Sequence, residues 1–405
     1  MKPDFLKGVR FADLTWAGAG PFGTKIFSDF GADVVKIESS VRLDSVRTGG
    51  PFKDRVYGVN RSGYFASRNT RKKSVVLDLK TEAGRALVFD IIRQSDVISN
   101  NYGPGAMDRL GLGYEAVRAV KPDIIYLSMP MYGEDGPRAG MLGVGMTISA
   151  VSGLMWSTAY GPDDPVGPGT HYPDHAANPY HAAFAVLAAL RYKRLTGKGM
   201  KIDLAQVEST INFIGTAFTY QAMTGENPPQ GSNTSQEMAP HGIYRCKGED
   251  SWCAITVDSD TAWRAMADLL GQPSLAASPD YATAPARIAN RTALDAIVSA
   301  WTGDRPADEV AAMLRQAGIP AAGVANARYL IEKDAQLAAR AYWQRVDHPE
   351  LGRSLYASPP YRVDGERIEL VRPPLLGEHT REVLSMLLGL KPDTLDQLET
   401  AGVFK

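Results

Sequence analysis

The first third of this chain alternates short runs rich in β-branched residues with runs of helical character. That alternation restricts it to a parallel α/β design, because consecutive parallel strands need a helical crossover. Residues 9–16 (VRFADLTW) read as a strand, 21–31 (PFGTKIFSDFG) as a helix closed by glycine, and 32–38 (ADVVKIE) as a second strand. Strands at 73–79, 96–100 and 123–129 and helices over 81–94 and 114–121 continue the pattern. The prediction is a doubly wound, Rossmann-like sheet. Asn178 suits a helix N-cap, Pro179 a first helical position and Gly197 a stop, so 178–197 is predicted as a core helix. A strand at 200–205 and a second buried helix over 206–223 follow.

The Gly/Pro/Asn/Ser-rich stretch 225–242 (GENPPQGSNTSQEMAPHG) reads as a linker. Beyond it, a hairpin at 243–258, helices near 260–270, 290–302 and 306–317, and a strand at 320–325 predict a smaller α+β domain. A chain of 405 residues exceeds the usual single-core size. The expected division is a large domain over 1–224, a small one over 225–330, and a C-terminal segment, 331–405, returning to the first, with a helix over 378–388.

Composition excludes several classes of function. A formal net charge of −1 gives no global attraction for nucleic acid or anionic membranes. Two cysteines, Cys246 and Cys253, are too few for a disulfide framework and match no zinc spacing, so buried thiols in a reducing compartment are expected. The N-terminal stretch lacks an apolar signal core and no run of 18 apolar residues occurs, so the chain is expected to be cytoplasmic and off the membrane.

Four stretches carry chemistry. GAGPFG (18–23) satisfies the dinucleotide fingerprint, with Glu38 ending the next strand, and by itself suggests an NAD-dependent oxidoreductase. Pro21 would crowd a pyrophosphate there, so the alternative is a tight strand-to-helix turn. SRNTRKKS (67–74) clusters Arg68, Arg71, Lys72 and Lys73, either as a solvated edge or as a phosphate clamp. NYGPGAMDRLGLGYEAV (101–117) places glycines and Arg109 after a strand end, where ligands bind in open α/β sheets. HYPDHAANPYH (171–181) holds three of the six histidines and Asp174. Pro173 between His171 and His175 opposes the helical i,i+4 pair that zinc requires, and no metal is expected. Asp174 remains open at this stage: a turn or capping residue, or a carboxylate aimed at a pocket.

The order of these stretches, with FADLTWAGAGPFGTKIFSDFGADVVKIE, RNTRKKSVVLDLKTEAGRALV, PDIIYLSMPMYGEDGP, LAALRYKRLTGKGMKIDLAQVE, APHGIYRCKGEDSWCAITV and LLGEHTREVL, resembles class III CoA-transferases of the CaiB/BaiF type along nearly the whole chain. YPDHAANPYHAAF is similar to benzylsuccinate CoA-transferase subunits, which handle aromatic or branched dicarboxylic acids. The resemblance implies that Asp174 is a nucleophile and that CoA moves from a donor such as succinyl-CoA to a carboxylic acid through an aspartyl anhydride and an aspartyl-CoA thioester. No tightly bound cofactor is implied; the coenzyme A thioester is a substrate. Ala17, Leu77, Asn101, Tyr102 and Arg109 match CoA-lining positions, and Lys72 and Lys73 are the candidate phosphate contacts. Residues 231–242 are the candidate mobile loop, and Trp16, Met146, Tyr172 and Tyr180 are candidate pocket walls.

The resemblance also implies an interlocked dimer, homomeric or with a related subunit, whose linkers near 190–230 and 325–340 cross between chains. The sequence departs from the family pattern at Gly18, Ser39 and Gly145. The first and third remove side chains near the acyl pocket, and Ser39 weakens one expected CoA contact. The related α-methylacyl-CoA racemases need a second proton carrier, and Val144 stands where its histidine would be, leaving His175 or His181 as substitutes.

Overall fold

The computed structural model describes residues 4–161, 163–230 and 233–405. The chain divides into two compact units, one of 1–155, 167–227 and 336–405, the other of 156–166 and 228–335. The sequence reading kept 156–166 with the larger domain; the chain instead groups them with the smaller unit.

In the larger unit β1 (Arg10–Asp13), β2 (Asp33–Glu38), β3 (Lys73–Val76), β4 (Val97–Asn100), β5 (Ile125–Ser128) and β6 (Met200–Asp203) form one sheet. Their spatial order is β3-β2-β1-β4-β5-β6, with every neighbouring pair parallel. Side chains alternate across it with period two. Phe11, Val34, Val97, Ile125 and Leu127 enter one core with Phe27, Ala182 and Val186. Ala12, Val35, Ile37, Val75 and Ile98 enter the opposite core with Val88, Ile91 and Ile92. Both faces are thus buried, as a parallel sheet requires. The helix Thr380–Leu388 returns Val383 and Leu384 to the second of these cores.

The helices end where their chemistry dictates. Ala19–Asp29 starts just after Gly18, two residues ahead of its predicted start, and Glu82–Arg93 is capped by the Thr81 hydroxyl on the Gly84 N–H. Asn178–Thr196 closes on Gly197 in the left-handed conformation. Its start differs from expectation. A π-helical turn, Pro173–Ala177, runs straight into it, so Asn178 is already helical and its side chain caps nothing; it donates to Gln206 Oε1 at 3.1 Å and accepts from Ser209.

Two expectations of core helices need correction. Asn178–Thr196 buries Ala182, Ala183, Val186 and Ala189, yet leaves Phe184 77% and Leu195 67% exposed in the isolated chain. The apolar stretch 206–223 breaks at Ile214 into Gln206–Phe213 and Gly215–Thr224, and the second half buries no residue.

The smaller unit has its own core. β7 (His241–Arg245), β8 (Trp252–Thr256) and β9 (Ala321–Gly323) form an antiparallel sheet, and the helices Asp260–Leu269, Arg291–Gly303 and Ala307–Gln316 pack Trp263, Leu294, Val298 and Leu314 into that core. Cys246 and Cys253 are buried, unbridged thiols there. Of the loop nominated at 231–242, Gly231 and Ser232 lie outside the described residues; 233–242 belong to this unit. In the larger unit, β10 (Trp343–His348) and β11 (Gly352–Ala357) pair as a hairpin.

Candidate active site

Strand order reverses between β1 and β4, so the chain leaving β1 and the chain leaving β4 flank a crevice at the carboxyl ends of the strands. Asn101, one residue past β4, spans it. Its Oδ1 accepts from the Trp16 N–H at 2.7 Å and its Nδ2 donates to the Trp16 carbonyl at 2.8 Å. The Trp16 ring meets Tyr102 edge-on, with centroids 5.8 Å apart. Ala17 adopts φ +59°, a costly conformation for a residue with a Cβ, and the hydrogen bond from its N–H to Asp44 Oδ1 at 3.0 Å holds it there.

The turn that follows presents Gly18 to Asp174. A methyl group on Gly18 would lie 2.7 Å from Asp174 Oδ2 and 2.9 Å from the Tyr64 hydroxyl. One on Gly145 would lie 2.9 Å from the same Oδ2 and 2.7 Å from the His171 Cβ. The two glycines that depart from the family pattern therefore flank the carboxylate, and any side chain there would displace it. Asp174 is 9% exposed, inside the π-helical turn, and among the described residues no donor bonds its carboxylate oxygens. Burial pushes its pKa up to about 6; the charges of His171 and Arg68 oppose that rise.

The surroundings of Asp174 include one group, Tyr64, that carried no motif. Tyr64 was overlooked in the sequence because a lone tyrosine in a loop-like stretch gives no signal. The His171 Nδ1 is buried without a partner. Arg68 donates from Nη2 to His175 Nδ1 at 2.9 Å, which fixes that nitrogen as an acceptor. Burial, aided by Arg68, lowers the His175 pKa to about 4, so it is neutral near pH 7. Exposed His181 turns its Nδ1 to the Ala177 carbonyl at 3.0 Å.

The other candidates fall in different places. Arg109, at the end of the short helix Ala106–Arg109, is exposed beside the crevice. Leu77 is fully buried in the core, leaving only its backbone for a ligand. Lys72 requires correction as a phosphate contact. Its Nζ is buried and spends three hydrogen bonds on Asp13 (3.1 Å), the Pro21 carbonyl (2.9 Å) and Thr24 (2.7 Å). Lys73 requires correction as well: it opens β3, at the sheet edge opposite the crevice, and its Nζ lies 3.3 Å from Asp33 at the start of β2. The dinucleotide reading of GAGPFG also fails physically, because the place above Gly18 where a pyrophosphate would rest is taken by an acidic side chain. No cluster of three or more His, Cys, Asp or Glu side chains suited to a metal exists among the described residues.

Fold and site together define a Rossmann-type α/β protein organised around one sequestered carboxylate. The chain belongs to CoA-transferase family III, whose model matches residues 6–380, and it is a CoA-transferase. It is 30% identical to the formyl-CoA:oxalate CoA-transferase of Streptomyces avermitilis, across 98% of this chain and 99% of that protein. It is 32% identical to the succinyl-CoA:glutarate CoA-transferase of Mus musculus, across 100% of this chain and 91% of the other. The crystal structure of a CAIB/BAIF family protein from Brucella suis superposes with a TM-score of 0.86 at 30% identity, covering 95% of this chain and 99% of that one.

Proposed function

We propose that this CoA-transferase moves CoA from a donor thioester such as succinyl-CoA to a carboxylic acid, with Asp174 as the covalent nucleophile. The observation that supports this reading is the carboxylate itself: buried, cradled by Gly18 and Gly145, and free of hydrogen-bond donors among the described residues. A carboxylate stripped of solvent and of donors is a stronger nucleophile, and a pKa near 6 leaves it mainly ionised at neutral pH.

Ionised Asp174 attacks the donor acyl carbonyl; the C–S bond breaks, giving an aspartyl anhydride and CoA thiolate. The thiolate attacks the aspartyl carbonyl, releasing the donor's carboxylate and leaving an aspartyl-CoA thioester. The acceptor carboxylate attacks that thioester, forming a second anhydride and thiolate. Attack of the thiolate on the acceptor carbonyl then yields the new acyl-CoA and restores Asp174. Bonds made and broken balance at each step, and the thioester's energy is conserved. Solvent must stay off both anhydrides, which a buried carboxylate favours. Asn101 and Asp44 hold the Trp16–Ala17 backbone in place, and Ala17, Asn101, Tyr102 and Arg109 flank the crevice that would receive the CoA arm.

The racemase alternative finds less support. Exposed Val144 directly precedes Gly145 at the carboxylate, and neutral His175 has Nδ1 occupied by Arg68. We also propose association with a second chain, homologous or identical. Exposed Phe184, Leu195 and Met223 are large apolar side chains that the isolated chain leaves in water. Turnover tests the central assignment: Asp174→Ala is expected to lower kcat with succinyl-CoA at least ~1,000-fold while the protein stays folded. A folded Asp174→Ala protein at full turnover would remove Asp174 from the chemistry.

A further inference from the structure

We infer that Arg68 receives a second carboxylate carried by the acyl group or the acceptor acid, so that dicarboxylic acids are the preferred substrates; the inference rests on Asp174 as the attacking group. Arg68 ends the helix Gly63–Arg68 and holds a half-buried charge in an aromatic setting. Its Cζ stands 4.5 Å from the centroid of the Phe22 ring and 5.7 Å from that of Tyr64. A guanidinium stays charged, and burying it without a counter-charge is costly. Yet among the described residues Arg68 makes no ion pair, and its Nε is buried with no hydrogen-bond partner.

Position identifies the missing anion. Arg68 lines a cavity of about 670 Å³. The other two cations lining it are already engaged, Lys25 with Asp29 and Lys53 with Asp54. The same wall carries Tyr356, whose buried hydroxyl also lacks a partner. Arg68 is bonded to His175, the residue next to the nucleophile, and it adds its positive charge to those acting on Asp174. A pantetheine arm separates the phosphates of CoA from the thioester, so an anion paired with Arg68, which is bonded to the residue next to Asp174, belongs to the acyl portion or the acceptor acid. A planar guanidinium that makes no ion pair among the described residues is the group best matched to a carboxylate.

The test compares succinyl-CoA with butyryl-CoA, which replaces the distal carboxylate by a methyl group. With hydroxylamine present, the rate of hydroxamate formation at Asp174 gives kcat/KM for each. The unmodified protein is expected to favour succinyl-CoA by tenfold or more. In Arg68→Met that preference falls to about unity, through KM for succinyl-CoA, and Arg68→Lys, which keeps charge but loses the fork, lies between. Calorimetric binding of free glutarate and butyrate to the unmodified protein supplies a reading that needs no variant: glutarate binds at least about tenfold more tightly. Hydroxamate with equal rates for both thioesters, or an unchanged preference in Arg68→Met, overturns the inference and leaves the nucleophile standing. Hydroxamate from neither thioester overturns the nucleophile instead, and Arg68 is then judged on glutarate binding alone: its presence in the unmodified protein and loss in Arg68→Met sustain the carboxylate site, and equal binding of both acids refutes it.

Discussion

Asp174 trades stability for reactivity. Its pKa is raised by burial to about 6 from an ordinary 3.8, so the fold favours the protonated acid. The sign follows: that stability is fully present below about pH 4 and is lost as pH rises through 6. Asp174→Asn should therefore unfold at higher urea than the unmodified protein at pH 7.5, by about 2–3 kcal/mol, with little difference at pH 4. The rate of the unmodified protein should rise through an acid limb near pH 6, because the nucleophile must be ionised. A stability difference equal at both pH values would show that Asp174 is not held in a desolvated cradle. From the sequence, Asp174 was legible as a carboxylate in an unusual setting, but its choice between turn and nucleophile came from resemblance. The π-helical turn was not legible, since Asn-Pro chemistry reads the same at a helix start and in a continuing coil. Nor were Tyr64 and Arg68 legible as neighbours of Asp174: more than a hundred residues separate them from it, and only folding brings them together.

At the scale of elements, buried charge holds the site's backbone. Asp13 at the end of β1 accepts from Thr15, Thr24, Ser99 and Lys72, and Glu38 at the end of β2 pairs with Arg47 at 2.8 Å. Burial lowers the Lys72 pKa to about 8 against the pull of Asp13, so the ammonium is retained at neutral pH. Lys72→Ala should cost about 3–5 kcal/mol by stranding the Asp13 carboxylate. The same variant, at temperatures where it is folded, should bind CoA as the unmodified protein does. Weakened CoA affinity with unchanged urea unfolding would restore Lys72 to the phosphate role that its sequence context suggested. A run of basic residues states charge but not direction. Consecutive positions entering a strand face opposite ways, which is how Lys72 turns into the core and Lys73 toward the far edge of the sheet.

At the scale of the whole molecule, the parallel sheet was legible because runs rich in β-branched residues alternate with helical runs, each bounded by turn chemistry. What covers the long helix was not legible. A segment apolar on most sides reads as core whether its cover comes from the same chain or from another, and this chain leaves Phe184, Leu195 and Met223 of Asn178–Thr196 and Gly215–Thr224 exposed, where the proposed second chain would cover them. Light scattering of the purified protein is expected to give twice the chain mass, and Phe184→Glu with Met223→Glu to lower it; a single-chain mass at micromolar concentration would contradict the proposed association. The account as a whole turns on a covalent bond to one side chain. Peptide mass mapping after incubation with succinyl-CoA and hydroxylamine tests it most directly: the account predicts a hydroxamate on Asp174 and nowhere else, absent when acyl-CoA is omitted. Rapid CoA transfer with Asp174 unmodified throughout would contradict it.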